Sequence, residues 1–135
     1  MSYAQRMIDT HPAPPVSIPA LVPCIEACFD CAQACTACAD ACLAEGQLAD
    51  LVRCIRLNLD CADVCEATGR VLSRLTAGGA EDARQLIEAC AEVCARCADE
   101  CERHAAMGME HCAVCAEACR RCERACRELI TAFAA

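Results

Sequence analysis

Small and apolar side chains recur along this chain in steps of three and four. From Leu21 the positions sharing one helical face read Leu21, Cys24, Cys28, Cys31, Cys35, Cys38 and Cys42. The stepping returns as Cys54, Cys61, Cys65, Leu72 and Leu75, then as Ile87, Cys90, Cys94, Cys97 and Cys101. It returns once more as Cys112, Cys115, Cys119, Cys122, Cys126, Leu129 and Phe133. This is the stripe a helix presents to a core, with charged residues on the opposite face. It predicts four helices, over about Leu21–Glu45, Leu48–Leu75, Glu81–Ala105 and Met109–Phe133. The connections, near Gly46, over Thr76–Gly79 and around Gly108, are short, so consecutive helices are expected to be antiparallel neighbours. The predicted fold is an all-α, antiparallel up-down-up-down four-helix bundle. Ser2–Thr10 predicts a short helix, and HPAPP with Pro19 an extended linker. The chain thus divides into an N-terminal extension, residues 1–20, and a bundle, residues 21–135.

Antiparallel packing makes the two ends of the bundle unlike. One end collects Leu21, Val22, Val71, Leu72, Leu75, Leu86, Ile87, Leu129, Ile130 and Phe133, an apolar plug. The other collects Glu45, Gly46, Gln47, His104, Met107, Gly108, Met109 and His111, and His104 continues the stripe three residues beyond Cys101. Between the ends, cysteine occupies the positions where an ordinary bundle carries Leu and Ile. The second helix breaks the pattern once, at Asn58, expected to be a polar core group or a hydrogen-bond donor to sulfur. His11 is expected on the linker surface. Arg53, Arg56, Arg96, Arg120 and Arg121 lie outside the stripe, as solvated or intersubunit side chains.

Composition sharpens the picture. Of 135 residues 18 are cysteine, against one Tyr, two Phe and no Trp. Such density ordinarily marks a secreted disulfide scaffold. The N-terminus MSYAQRMIDTHPAPP shows no apolar export core and no twin arginine, and neighbours on one rigid helix are poorly placed for disulfide geometry. The expectation is a reducing, cytoplasmic compartment and free thiols or metal thiolates. A net charge of −8 disfavours nucleic acid and anionic membranes as partners. No uncharged run reaches the ~18 residues of a membrane span. With three His and no Gly-rich phosphate loop or nucleophile motif, no catalytic constellation is present and no enzyme is expected.

The thiol spacing carries chemistry. Eight CxxxC and five CxxC pairs place side chains side by side, with Cβ atoms ~5–6 Å apart. Soft thiolates select Cu(I), zinc or iron–sulfur clusters. Unbridged tetrahedral zinc sites would number about four for 18 cysteines and leave the long stripes unexplained. Iron–sulfur ligation uses loop motifs that are absent here. Cu(I), with two or three sulfur ligands and each sulfur bridging, gives on the order of one ion per cysteine. Such loading neutralises buried thiolate charge and releases the protons of the metal-free thiols. A metallothionein-like zinc or broad-metal buffer and an iron–sulfur electron carrier stand as alternatives.

The segments CIEACFDCAQACTACADAC, LVRCIRLNLDCADVC, CAEVCARCADECERHA and HCAVCAEACRRCERAC resemble the bacterial copper storage proteins. The resemblance runs from about Leu21 to Arg127. It implies storage of multiple Cu(I) ions by all 18 cysteines and a homotetramer of bundles. A copper chaperone or small thiol is the expected exchange partner. The resemblance also implies a copper-admitting mouth at His104, Met107, Met109 and His111. The absence of a twin-arginine signal points to the family's cytosolic branch.

Overall fold

A computed structural model describes residues 1–15, 17–75 and 79–134. Five helices appear: α1 Tyr3–Asp9, α2 Leu21–Leu43, α3 Val52–Ser73, α4 Ala80–Ala105 and α5 Glu110–Ala134. All the elements among the described residues are helical.

Local chemistry sets several boundaries. The Ser2 side chain caps α1 by accepting from the Gln5 N–H at 3.1 Å, satisfying one of a helix's orphan donors. Pro23 falls in the first turn of α2, where its missing N–H costs nothing. The chain enters α3 through a 3₁₀ turn, Leu48–Leu51, so the regular helix begins later than the stripe suggests. α3 ends at Ser73, and its successor starts at Ala80 with Glu81 and Asp82 in the first turn, where the helix dipole favours acids. The predicted Thr76–Gly79 turn lies largely outside the described residues. Between α4 and α5 the chain reverses at Gly108, whose φ of 94° only glycine adopts cheaply. There the His104 carbonyl accepts from the Met107 and Met109 N–H groups at 3.0 and 3.2 Å.

α2 packs on α3 and α5, and α4 on α3 and α5, closing a four-sided ring with no comparable diagonal contact; α1 lies against α2. Paired residues run in opposite senses: Cys24 meets Cys126 while Cys38 meets Cys112, and Cys54 meets Cys101 while Cys65 meets Cys90. Neighbouring helices are therefore antiparallel, as predicted. At one end Leu21, Leu72, Leu75, Ile87 and Leu129 are buried, with Val71, Ile130 and Phe133 partly buried against them. Ile8 and Ile18 of the extension also pack on the core. Phe29 of α2 crosses α3 at Gly69, where a Cβ would lie 2.9 Å from the ring.

Glu26, Asp30 and Asp40 interrupt α2, so it holds no uncharged run of membrane-spanning length. α2 holds an 18-residue stretch of mean hydropathy 1.2, long and apolar enough by composition to cross a membrane. More than half of that stretch is buried within the bundle.

With aromatics scarce, the plug supplies most of the large hydrocarbon in the core. Ile87→Ala or Leu129→Ala should each lower the unfolding free energy of the reduced protein by ~2–5 kcal/mol. Cys31→Ala, which removes one sulfur atom, should cost much less. Chemical denaturation followed by circular dichroism measures the difference.

Candidate metal centre

All 18 cysteines are free and buried. Cys38 is the most exposed of them, at 2%. Their sulfurs form two ladders. Along α2 and α5, Cys24, Cys28, Cys31, Cys35 and Cys38 face Cys126, Cys122, Cys119, Cys115 and Cys112, at 3.8, 3.8, 3.7, 3.7 and 3.8 Å. Along α3 and α4, Cys54, Cys61 and Cys65 face Cys101, Cys94 and Cys90, at 3.9, 3.8 and 3.8 Å. Cys31–Cys61, Cys65–Cys122 and Cys35–Cys97, at 3.8, 3.9 and 4.0 Å, tie the ladders together. The result is one continuous column of sulfur.

Asn58 takes the place of the missing rung. It is fully buried, and its Oδ1 accepts from the thiols of Cys97, Cys115 and Cys101 at 3.1, 3.4 and 3.5 Å. Its Nδ2 donates to Cys54 Sγ at 3.7 Å. In the protonated column the amide is mainly an acceptor, with the donor role anticipated from the sequence confined to one contact.

At the end opposite the plug, His111 Nδ1 lies 3.4 Å from Cys38 Sγ and 3.5 Å from Cys112 Sγ. Its Nε2 is 3.5 Å from Glu45 Oε1. Cys42, which like Cys97 has no rung in either ladder, joins Cys38, Cys112 and His111 in a group whose ligand atoms all lie within 4.8 Å of one another. His104 is buried and Met109 partly so, whereas Met107 is 63% exposed on the turn. His11 lies on the exposed linker as expected, where its Nδ1 accepts from the Ala13 N–H at 2.9 Å. Sequence reasoning missed Glu100, a buried carboxylate 3.2 Å from His104 Nε2. Its only signal was the i, i+4 relation to His104 on a helix face otherwise given to Cys and Ala.

Burial, helped by the charges of Cys54 and Cys38, pushes the Cys42 thiol up to about 12. Burial likewise leads the upward shift of Cys112. Cys38 moves the other way, to about 6, because contacts from Cys101 and Cys54 stabilise its thiolate against Cys115 and burial, with His111 adding to them. His111 is raised: burial, which lowers it, is outweighed by Cys38 and Glu45. Cys38 and His111 thus favour a thiolate–imidazole pair, and burial holds Cys42 and Cys112 beside it protonated.

Many of the sulfurs serve more than one potential site. Cys31, Cys61, Cys65 and Cys94 form a group within 4.8 Å, as do Cys31, Cys35, Cys61 and Cys119, and Cys35, Cys97, Cys115 and Cys119. Spacing alone fits a tetrahedral tetrathiolate, since a Zn–S bond of ~2.3 Å implies sulfurs ~3.8 Å apart. Sharing is the distinguishing feature: closed four-ligand sites compete for these sulfurs, whereas bridging thiolates use all of them.

Fold and column together define a thiolate metal-storage bundle. The chain matches the family profile described as copper storage protein (Csp) over residues 19–131, and it belongs to that family. Among solved structures it is similar to a copper storage protein, Ccsp, from Streptomyces lividans loaded with 10 copper equivalents. That likeness has 56% identity and a TM-score of 0.90, and covers 95% of this chain and 98% of the other. A five-copper structure, described as a cytosolic copper storage protein from the same organism, is 62% identical with a TM-score of 0.80. It covers 84% of this chain and 93% of the other. No curated protein matches the chain significantly.

Asn58→Ala should leave three thiols without their acceptor and open a small void. The expected loss is ~1–3 kcal/mol in the reduced, metal-free protein, read by denaturant titration.

Proposed function

We propose that this chain stores Cu(I) in the cytosol, at up to about one ion per cysteine, and acts as a reservoir and not as a catalyst. The observation that carries the reading is the shared sulfur column. Cu(I) with two or three bridging thiolates fills it without stranding ligands, and each ion cancels one buried thiolate charge. The proposed ligands are the 18 cysteines, with His104, Met107, Met109 and His111 admitting the ion at the open end. The cytosolic description of the Streptomyces relative supports the compartment.

Residues 21–135 would be the storage bundle and residues 1–20 an extension against its closed end. A homotetramer is proposed from the family resemblance. Exposed Leu43, Leu48, Val52 and Leu59, at the α2–α3 connection and along α3, offer apolar surface for it. A copper chaperone or small thiol would exchange the ions at the mouth.

Anaerobic titration of the reduced protein, with bound metal counted by mass, should approach 18 Cu(I) per chain, the cysteine count. Zinc should stop near four. Saturation with copper at a handful of ions would refute the reading. Replacing Cys28, Cys31, Cys35 and Cys38 together by Ala should lower capacity by about four ions if bridging is one to one.

Thiols such as Cys42 begin protonated, so loading at pH 7–8 should release close to one proton per copper. The release should fall short of that by the thiols that begin as thiolates, Cys38 at about 6 and Cys24 at about 5 among them. Copper should be held less tightly as pH falls, since protons then compete for sulfur. Weakly buffered stopped-flow with a pH indicator reports the stoichiometry.

A further inference from the structure

Among the described residues Glu100 is the one buried acid, 5% exposed, and the sulfur column makes no use of it. A buried carboxylate is expensive unless held by opposite charge and hydrogen bonds. Here Oε1 accepts from Arg103 Nη1 at 2.6 Å, and Arg53 Nε of α3 lies 3.8 Å from the same oxygen. Both arginines are largely exposed, so they anchor the carboxylate from the solvent side. The other oxygen, Oε2, is left for His104 Nε2, 3.2 Å away.

A carboxylate only accepts, so the ring nitrogen facing it must carry the hydrogen. In the neutral ring the lone pair is then on Nδ1. That atom is buried and has no hydrogen-bond partner. A buried, unpartnered acceptor is a standing cost in the metal-free protein. It lies on the residue that continues the α4 stripe directly beyond Cys101. At His111, too, the nitrogen nearest a carboxylate is Nε2 and Nδ1 faces sulfur, but there Glu45 is partly exposed and lacks the paired arginines.

We propose that Glu100 is a positioning residue for metal capture: pinned by Arg103 and Arg53, it fixes His104 as the Nε2–H tautomer and presents Nδ1 to the incoming soft cation. This rests on the reading of His104 as a ligand of the mouth. Carboxylates that orient a metal-binding imidazole typically affect affinity or activity by 10–100-fold.

The test uses the reduced, metal-free full chain labelled with ¹⁵N. Long-range ¹H–¹⁵N correlation should show His104 protonated at Nε2 and bare at Nδ1. In Glu100→Gln, whose amide can donate as well as accept, the Nδ1–H tautomer should appear, in a spectrum otherwise that of the folded protein. Capture of the first Cu(I) equivalents from a chelator, followed by stopped-flow, should slow on the order of tenfold in Glu100→Gln. Total capacity should be unchanged, and Glu100→Gln/His104→Ala should be no slower than His104→Ala alone. A wild-type ring protonated at Nδ1, an unshifted tautomer in Glu100→Gln, or additive effects in the double variant would overturn the role of Glu100. His104→Ala capturing copper at the wild-type rate would instead overturn the reading of His104 as a mouth ligand, on which the proposal depends.

Discussion

The molecule depends on one constraint: the space between four helices is filled by groups that are weak hydrophobes when protonated and untenable as bare charges when not. A thiol is small and soft, and packs adequately. A buried thiolate away from the mouth has no cation beside it, because the arginines lie on the outer faces and no lysine exists in the chain. Away from a contact such as that of Cys38 with His111, the column therefore has two acceptable conditions, S–H or metal. That either-or character links the helix register to the chemistry, since any sulfur out of line would lose both its packing neighbours and its bridging partners.

The remaining architecture serves this column. Antiparallel order places Cys24 against Cys126 and Cys38 against Cys112, so equal steps on each helix keep rungs aligned over the whole length. Most large aliphatic residues of the core gather at the end where no sulfur is needed, with buried Leu51 at the α2–α3 connection an exception. Outside, Arg120 clasps Asp99 and Glu102 across α4 and α5, and Arg121 reaches Asp30 of α2. Being exposed, each such pair contributes little by itself. Their effect is to favour one helix pairing over its alternatives.

Most of this was legible in the sequence. The three-and-four stepping of cysteine gave helix number, the buried face and the thiols that meet in the core, because a strict period leaves one way to turn each helix. Asn58 was visible as a gap in that period, and the plug as its aliphatic continuation. The details that escaped depend on contacts between helices or on backbone geometry. The 3₁₀ turn before α3 breaks no pattern of polarity. Asn58 Oδ1 gathers thiols from α4 and α5, which no spacing within α3 reveals. Glu100 looked like one more solvated acid, because its burial comes from Arg53 on another helix and from a histidine one turn further on.

The buried leucines and isoleucine at the closed end have a consequence for the order of storage. A tube stoppered by Leu21, Leu72, Ile87 and Leu129, and entered as proposed at its other end, would be a stack with a single door. Ions admitted first and passed inward would then come to rest deepest, and the last to arrive would stand nearest the way out. Retrieval would run in reverse chronology, so a briefly copper-starved cell would draw on recent deposits while the oldest ones stay beside the hydrocarbon floor.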